Sequence, residues 1–223
     1  MTFLELSAKT RQECGIQGQG PVAVTNQTGI LKRVVEWVAD ADVLIQSMYS
    51  DWDFLWAEYT QNTIINSADL TKPDNFGMWD RESFAYKRGT SSGKSLNRID
   101  FKEWRLNNSI KVSQEPSTIT IVPSGDLKLG FPANVVAEVY ANYWKNVVKM
   151  TINTNVPPYP DRFHRIIIAR AKMWFFEDQE GWENFAAAEK EYLYWVNELE
   201  GFALPGQQDR SQAQPELTAA RAE

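Results

Sequence analysis

Apolar residues recur at helical spacing near both ends of the chain and alternate with polar ones in its middle. Over 3–13, Phe3, Leu6 and Thr10 share one helical face, and Cys14-Gly15 stops the element. Over 29–49, Leu31, Val34, Val35, Val38, Ala41, Ile45 and Met48 form a longer stripe, with Thr28 or Asn26 placed to cap it. A second stripe, Ile30-Trp37-Leu44, repeats every seven residues on a neighbouring face, which is more apolar surface than a single internal partner needs. After the stiff Pro157-Pro158-Tyr159-Pro160, Asp161 is placed to cap a helix running to about Asp178. Its Phe163, Ile166, Ile167, Ile168, Ala171, Trp174, Phe175 and Phe176 leave little polar face, which predicts a central helix. A last helix over 181–200 carries Trp182, Phe185, Glu189, Tyr192, Val196 and Leu199, with Gly201 at its C′ position.

Between these helices the period drops to two. Thr118–Val122 and Leu127–Leu129 flank Pro123-Ser124-Gly125-Asp126, which predicts a hairpin over 117–130. Val135, Ala137, Val139, Ala141 and Tyr143 lie on one side of a further strand. Trp56–Ile65 and Ser83–Tyr86 add more strands, Arg88–Asn97 reads as a Gly/Ser loop, and Ile99–Arg105 as one or two helical turns. The expected fold class is α+β: a helical bundle built from the N- and C-terminal helices (1–50 and 160–202), with a β-rich unit of roughly five strands inserted at 51–155. Residues 203–223 form a tail rich in Gln, Ala, Ser and Pro, expected to be disordered unless a partner orders it.

Composition narrows the chemistry. The chain has one cysteine, Cys14, and one histidine, His164, so neither an internal disulfide nor a histidine-rich metal site is expected. There is no apolar run near the roughly 18 residues that span a bilayer, and no basic-then-apolar leader; a soluble protein of a reducing compartment is expected. The string Gly89-Thr90-Ser91-Ser92-Gly93-Lys94-Ser95 misses the phosphate-binding loop by one position, because Arg88 stands where its first glycine belongs. A nucleotide-binding enzyme using this loop is the alternative of a different class. Asp40/Asp42, Asp51/Asp53 and Glu177/Asp178/Glu180 are expected on solvated helix ends, His164 in a packing or capping role, and Cys14 as an unreactive thiol. No catalytic constellation, cofactor site or metal site emerges.

Nine tryptophans are more than a core of this size buries, so some are expected at an interface. Charge is also uneven. Residues 81–111 hold eight basic side chains against three acidic ones, whereas 161–223 hold seven basic against twelve acidic. Opposite signs suit head-to-tail association of identical subunits, with Arg88, Lys94 and Arg98 facing Glu189 and Glu198 of a neighbour, and Ile30, Trp37 and Leu44 as apolar contacts.

Several ordered patches carry a resemblance. They are Met1–Leu6 through Arg11-Gln12-Glu13-Cys14-Gly15-Ile16 and Gly20-Pro21, then Thr28-Gly29 with Arg33–Ala39, and Asp51-Trp52-Asp53-Phe54-Leu55. Phe76–Phe84, Ile99–Arg105, Pro157, Pro160–His164 and Ile167–Ala171 complete the set. In this order they resemble the head–tail connector (adaptor, neck) proteins of tailed bacteriophages. The resemblance implies a non-enzymatic virion protein, made in the host cytoplasm and assembled as a homo-oligomeric, twelvefold ring beneath the portal. It further implies downstream tail or neck partners, no membrane, and passage of DNA through the lumen without sequence-specific binding. An acidic lumen suits that transit, since a basic one would grip phosphates. The C-terminal segment would dock on the portal, with Leu204, Pro205, Arg210, Pro215, Leu217 and Arg221 as candidates. A tail-completion or tube-initiating protein is the alternative within the class.

Overall fold

The computed structural model describes residues 1–107 and 112–204. The protein is mixed α+β and divides into two compact units, one formed by Met1–Phe54 with the chain from Val147 on, the other by Leu55–Asn146.

The first unit contains α1 (Phe3–Glu13), α2 (Gly29–Ser47), α4 (Arg165–Asp178) and α5 (Trp182–Ala203). Thr2 and Glu5 close a capping box on α1, each side chain taking the other's backbone N–H. At its far end Gly15 adopts φ +70°, and the N–H groups of Gly15 and Ile16 donate back to Gln12 and Arg11. That is a Schellman stop, and it needs a residue free of the left-handed steric penalty. The apolar run of α4 is the reason it packs against α1, α2 and α5 together: Ile166, Ile167, Ile168, Ala169 and Ala171 are wholly buried.

Three terminal signals act differently from expectation. Asp161 does not cap α4; the chain enters that helix through a 3₁₀ turn, Asp161–Phe163, and the N-cap position falls on His164 in a helical conformation. From such a backbone no side chain reaches back to cap the first turn. Thr28 occupies the N-cap of α2 but its hydroxyl makes no capping bond. Gly201 does not end α5, which continues to Ala203 because burial of Ala203 and Leu204 outweighs the roughly 1 kcal/mol that an internal glycine costs.

The second unit has nine short strands among the described residues rather than about five. One sheet runs β1 (Trp56–Asn62), β9 (Glu138–Lys145), β4 (Ala85–Lys87), β5 (Lys94–Ser95), with β3 (Phe76–Trp79) also paired to β9. The other runs β2 (Asp69–Leu70), β8 (Leu127–Leu129), β7 (Thr118–Ile121), β6 (Asn97–Arg98). α3 (Phe101–Asn107) contacts β7. The expected hairpin is present, with Ile119 opposite Leu129 and Ile121 opposite Leu127. Strand β9 organises the larger sheet, pairing β1 along its length and β4 and β3 on its other edge. Its alternation buries Val139, Ala141 and Tyr143, which join Tyr59, Trp79, Phe84, Tyr86, Ile119, Leu127 and Leu129 in one core fed by both sheets. Gly77 sits at the irregularity between β3 and β9, where a Cβ would stand 2.9 Å from the Trp144 carbonyl; only glycine permits that approach.

Candidate functional site

The Gly/Ser segment at 88–93 closes the β4–β5 hairpin, in which Tyr86 pairs with Lys94. The segment runs directly into a strand, Lys94–Ser95, where a phosphate-binding loop runs into a helix N-terminus. Tyr86, Lys87, Arg88, Ser91, Ser92, Lys94 and Glu115 line a cleft of about 230 Å³ at the hairpin. Its charges are largely answered from within: Lys87 pairs with Glu138 at 2.8 Å, and Lys94 lies 3.7 Å from Glu115, which also accepts from the Tyr86 hydroxyl. Arg88 and Lys94 thus come together, while Arg98 belongs to the other sheet, exposed on β6.

On the first unit the expected interface residues divide. Trp37 is half-buried, meeting Phe175 edge-on at 6.3 Å with the Arg33 guanidinium 4.9 Å above its ring. Ile30 is also half-buried, and Leu44 alone of the three is exposed. Glu189 and Glu198 are both exposed, but nine residues of helix set them on opposite sides of α5, so one flat neighbour does not meet both. Leu204 is buried; Pro205, Arg210, Pro215, Leu217 and Arg221 lie outside the described residues.

Sequence inspection misses the apolar side of α5. Trp182, 65% exposed, and Leu193, 52% exposed, stand three turns apart on one side with Ala186 and the exposed Glu189 between them, and Tyr194, 56% exposed, lies about a third of a turn round the helix. Of the tryptophans, Trp52 and Trp79 are fully buried, Trp56 and Trp182 are exposed, and the other five are half-buried. The signal was present in composition but not assignable to positions.

Two polar clusters hold the first unit together. Arg165 donates to Glu13 at 2.7 Å and to Glu191 at 2.5 Å, and Lys172 donates to the same two carboxylates at 3.1 and 2.9 Å. This quartet joins the end of α1 to α4 and α5. Burial pulls the Lys172 ammonium toward neutrality, but the bonds to Glu191 and Glu13 outweigh it and its pKa is raised; burial raises that of Glu191, and its two cations bring it below the ordinary value.

The second cluster corrects an expectation. Asp42 is not on a solvated face: it is wholly buried, accepting from the Gln46 amide at 2.8 Å and the Tyr159 hydroxyl at 3.1 Å. Burial without a cation pushes its pKa up to about 7 despite both donors. Nearby, His164 is also wholly buried, its Nε2 against the Tyr159 carbonyl at 3.0 Å and its Nδ1 2.9 Å from the Met1 ammonium. The ammonium donates to Nδ1, so Nε2 carries the ring proton and donates to the carbonyl. Burial holds the histidine pKa below its usual value. The other acidic residues behave as surface charges: Asp40 pairs with Lys149 and Asp178 with Arg33. Cys14 is buried, and although Lys172 acts on it in space, burial dominates and pushes its thiol up to about 12.

Among the described residues no group of His, Cys, Asp and Glu is arranged to hold a metal ion, and no helix is long and apolar enough to cross a membrane. No protein-family profile matches the chain, and a search of curated proteins finds no significant match.

Proposed function

We propose that this chain is a structural, non-enzymatic virion protein: a head-to-tail connector whose copies form a ring beneath the portal of a tailed phage, joining capsid to tail and letting DNA pass. In this reading the helices from both ends of the chain form the bundle that carries the ring, and the β-rich unit is inserted between them. The observation that carries it is the exposed pair Trp182 and Leu193 on one side of α5, with Ala186 and Glu189 between them. Large aromatic and aliphatic side chains grouped on one helix face are characteristic of a protein–protein contact. The charge asymmetry adds to it, since heterologous contacts between unlike surfaces are what close identical subunits into a ring.

The test is a double substitution, Trp182→Glu with Leu193→Glu. Both residues lie outside the core, so helicity and thermal unfolding remain as in the parent chain. Assembly into a high-mass ring, read by sedimentation velocity with and without the portal protein, is expected to be lost. Assembly that persists in the double variant would remove α5 from the interface and the reading with it.

A further inference from the structure

Strand β1 (Trp56–Asn62) is the outermost strand of the larger sheet, so β9 pairs one of its edges and no strand lies along the other. Which backbone groups the open edge presents follows from the ladder. On β9, the Asn142 carbonyl accepts from the Asp80 N–H at 2.9 Å, and its N–H donates to the Ser83 hydroxyl at 2.8 Å, both on the side away from β1. Bonding direction alternates along a strand, so Val139, Ala141 and Tyr143 turn theirs toward Gln61, Tyr59 and Ala57 of β1. The Thr63 N–H, bonded to the Ala137 carbonyl at 2.8 Å, continues that series. The N–H and C=O groups of Trp56, Glu58, Thr60 and Asn62 therefore point away from the sheet, and no described residue bonds any of them. All four residues are exposed. Gln61 is held from the core side, its Oε1 accepting from the Thr71 N–H at 2.9 Å and the Tyr59 hydroxyl at 2.6 Å, which fixes the strand without using its outward groups.

Folded proteins blunt such an edge with lysine, proline, a bulge or a very short strand. β1 has none of these: it runs seven residues in unbroken register with β9, and Glu58 is its one charge. An edge left this open is a template for strand addition. We infer that it pairs with β1 of a second copy of this chain, antiparallel, about a twofold axis at Tyr59. The strand's own sequence selects that register. Centred on Tyr59, the pairing sets Trp56 opposite Asn62 and Glu58 opposite Thr60, so every outward-facing residue finds a partner. Centred on Glu58, it would set that carboxylate against its own copy, and like charges directly opposite destabilise a sheet. Centred on Thr60, it would carry Trp56 past the end of the neighbouring strand. A twofold contact requires a self-complementary surface, and this match favours a second copy over a foreign strand. The pairing does not depend on the connector reading. It makes a dimer and closes no ring, and it uses the β-rich unit, whereas the ring contact proposed above uses α5.

The test is sedimentation velocity of the full-length chain carrying Trp182→Glu and Leu193→Glu, so that association through α5 does not contribute. A concentration-dependent dimer is expected. In that background Thr60→Lys sets an ammonium opposite Glu58 of the second copy, twice in each dimer, and is expected to tighten association about fivefold. Thr60→Glu sets two carboxylates face to face and is expected to weaken it by about the same factor. Adding Glu58→Lys to Thr60→Glu brings opposite charges together again and is expected to restore the dimer. Thr60→Pro removes an outward N–H that β9 does not use, and is expected to abolish dimerisation. Thr60 and Glu58 are exposed, so the charge variants keep the thermal unfolding of the parent chain. A chain that stays monomeric up to about 0.1 mM would overturn the pairing. A dimer indifferent to charge at position 60 would overturn it equally, by placing the contact elsewhere.

Discussion

Replacing Arg165 by alanine is expected to lower the stability of the helical unit by about 3 kcal/mol, read by denaturant unfolding at neutral pH. Arg165 and Lys172 lie two turns apart on α4 and share Glu13 of α1 and Glu191 of α5 between them. All four side chains are one third exposed or less, so the charges are only partly screened. Removing the arginine leaves two half-buried carboxylates with one ammonium, and the uncompensated charge, more than the lost bonds, sets the size of the effect. Adding Glu13→Gln to Arg165→Ala should recover about 1 kcal/mol, because it removes that surplus charge. A loss below about 0.5 kcal/mol for the single variant would mean that the quartet is an ordinary surface cluster. Its pH dependence has a definite sign. Glu191 has a lowered folded pKa, so its contribution is present above the unfolded value of 4.5 and is lost as pH falls through the folded one.

Asp42 has the opposite sign and the second large effect. Its folded pKa is raised from 3.8 to about 7, so the folded state holds a proton that the unfolded chain releases as pH rises across that window. Its contribution is greatest below the unfolded value, declines between about pH 4 and 7 by on the order of 4 kcal/mol, and is level above. His164, with a lowered folded pKa, opposes this: its burial costs stability as pH falls below 6.5, because the unfolded imidazole takes a proton sooner. The two effects partly cancel in the parent chain, and Asp42→Asn separates them. The asparagine can accept from Gln46 and donate to the Tyr159 hydroxyl, so the fold is kept. Stability of the variant relative to the parent is expected to rise steadily from pH 4 to pH 7. A difference that does not vary with pH would show that Asp42 is ionised throughout.

Much of the helical unit is readable from local pattern. Phe3, Leu6 and Thr10 are buried at the spacing that predicts them, and the run Ile166–Ala169 is as enclosed as its composition implies. The side of β9 that buries Ala137, Val139, Ala141 and Tyr143 follows from alternation alone. What escapes is whatever has no local period. Strands β2, β5 and β6 are two residues each, too short for any alternation, and exist through pairing with longer neighbours. Arg165 meets Glu13 across 152 positions, and no property of either neighbourhood announces it. Asp42 reads as one of a surface pair with Asp40, yet falls on the buried side of α2 next to Ala41 and Ile45. Here the identity of the side chain misleads while its helical position does not. The apolar side of α5 escapes for a further reason: Trp182 belongs by spacing to the same stripe as the buried Val196 and Leu199, and only the packed helices show which end of that stripe is left in solvent.

The proposed connector is a ring matched to the portal in a phage particle. Quantitative mass spectrometry of purified virions, comparing copies of this chain with copies of the portal protein, tests it most directly. A ratio near one to one is expected. Absence of the chain from mature particles would contradict it.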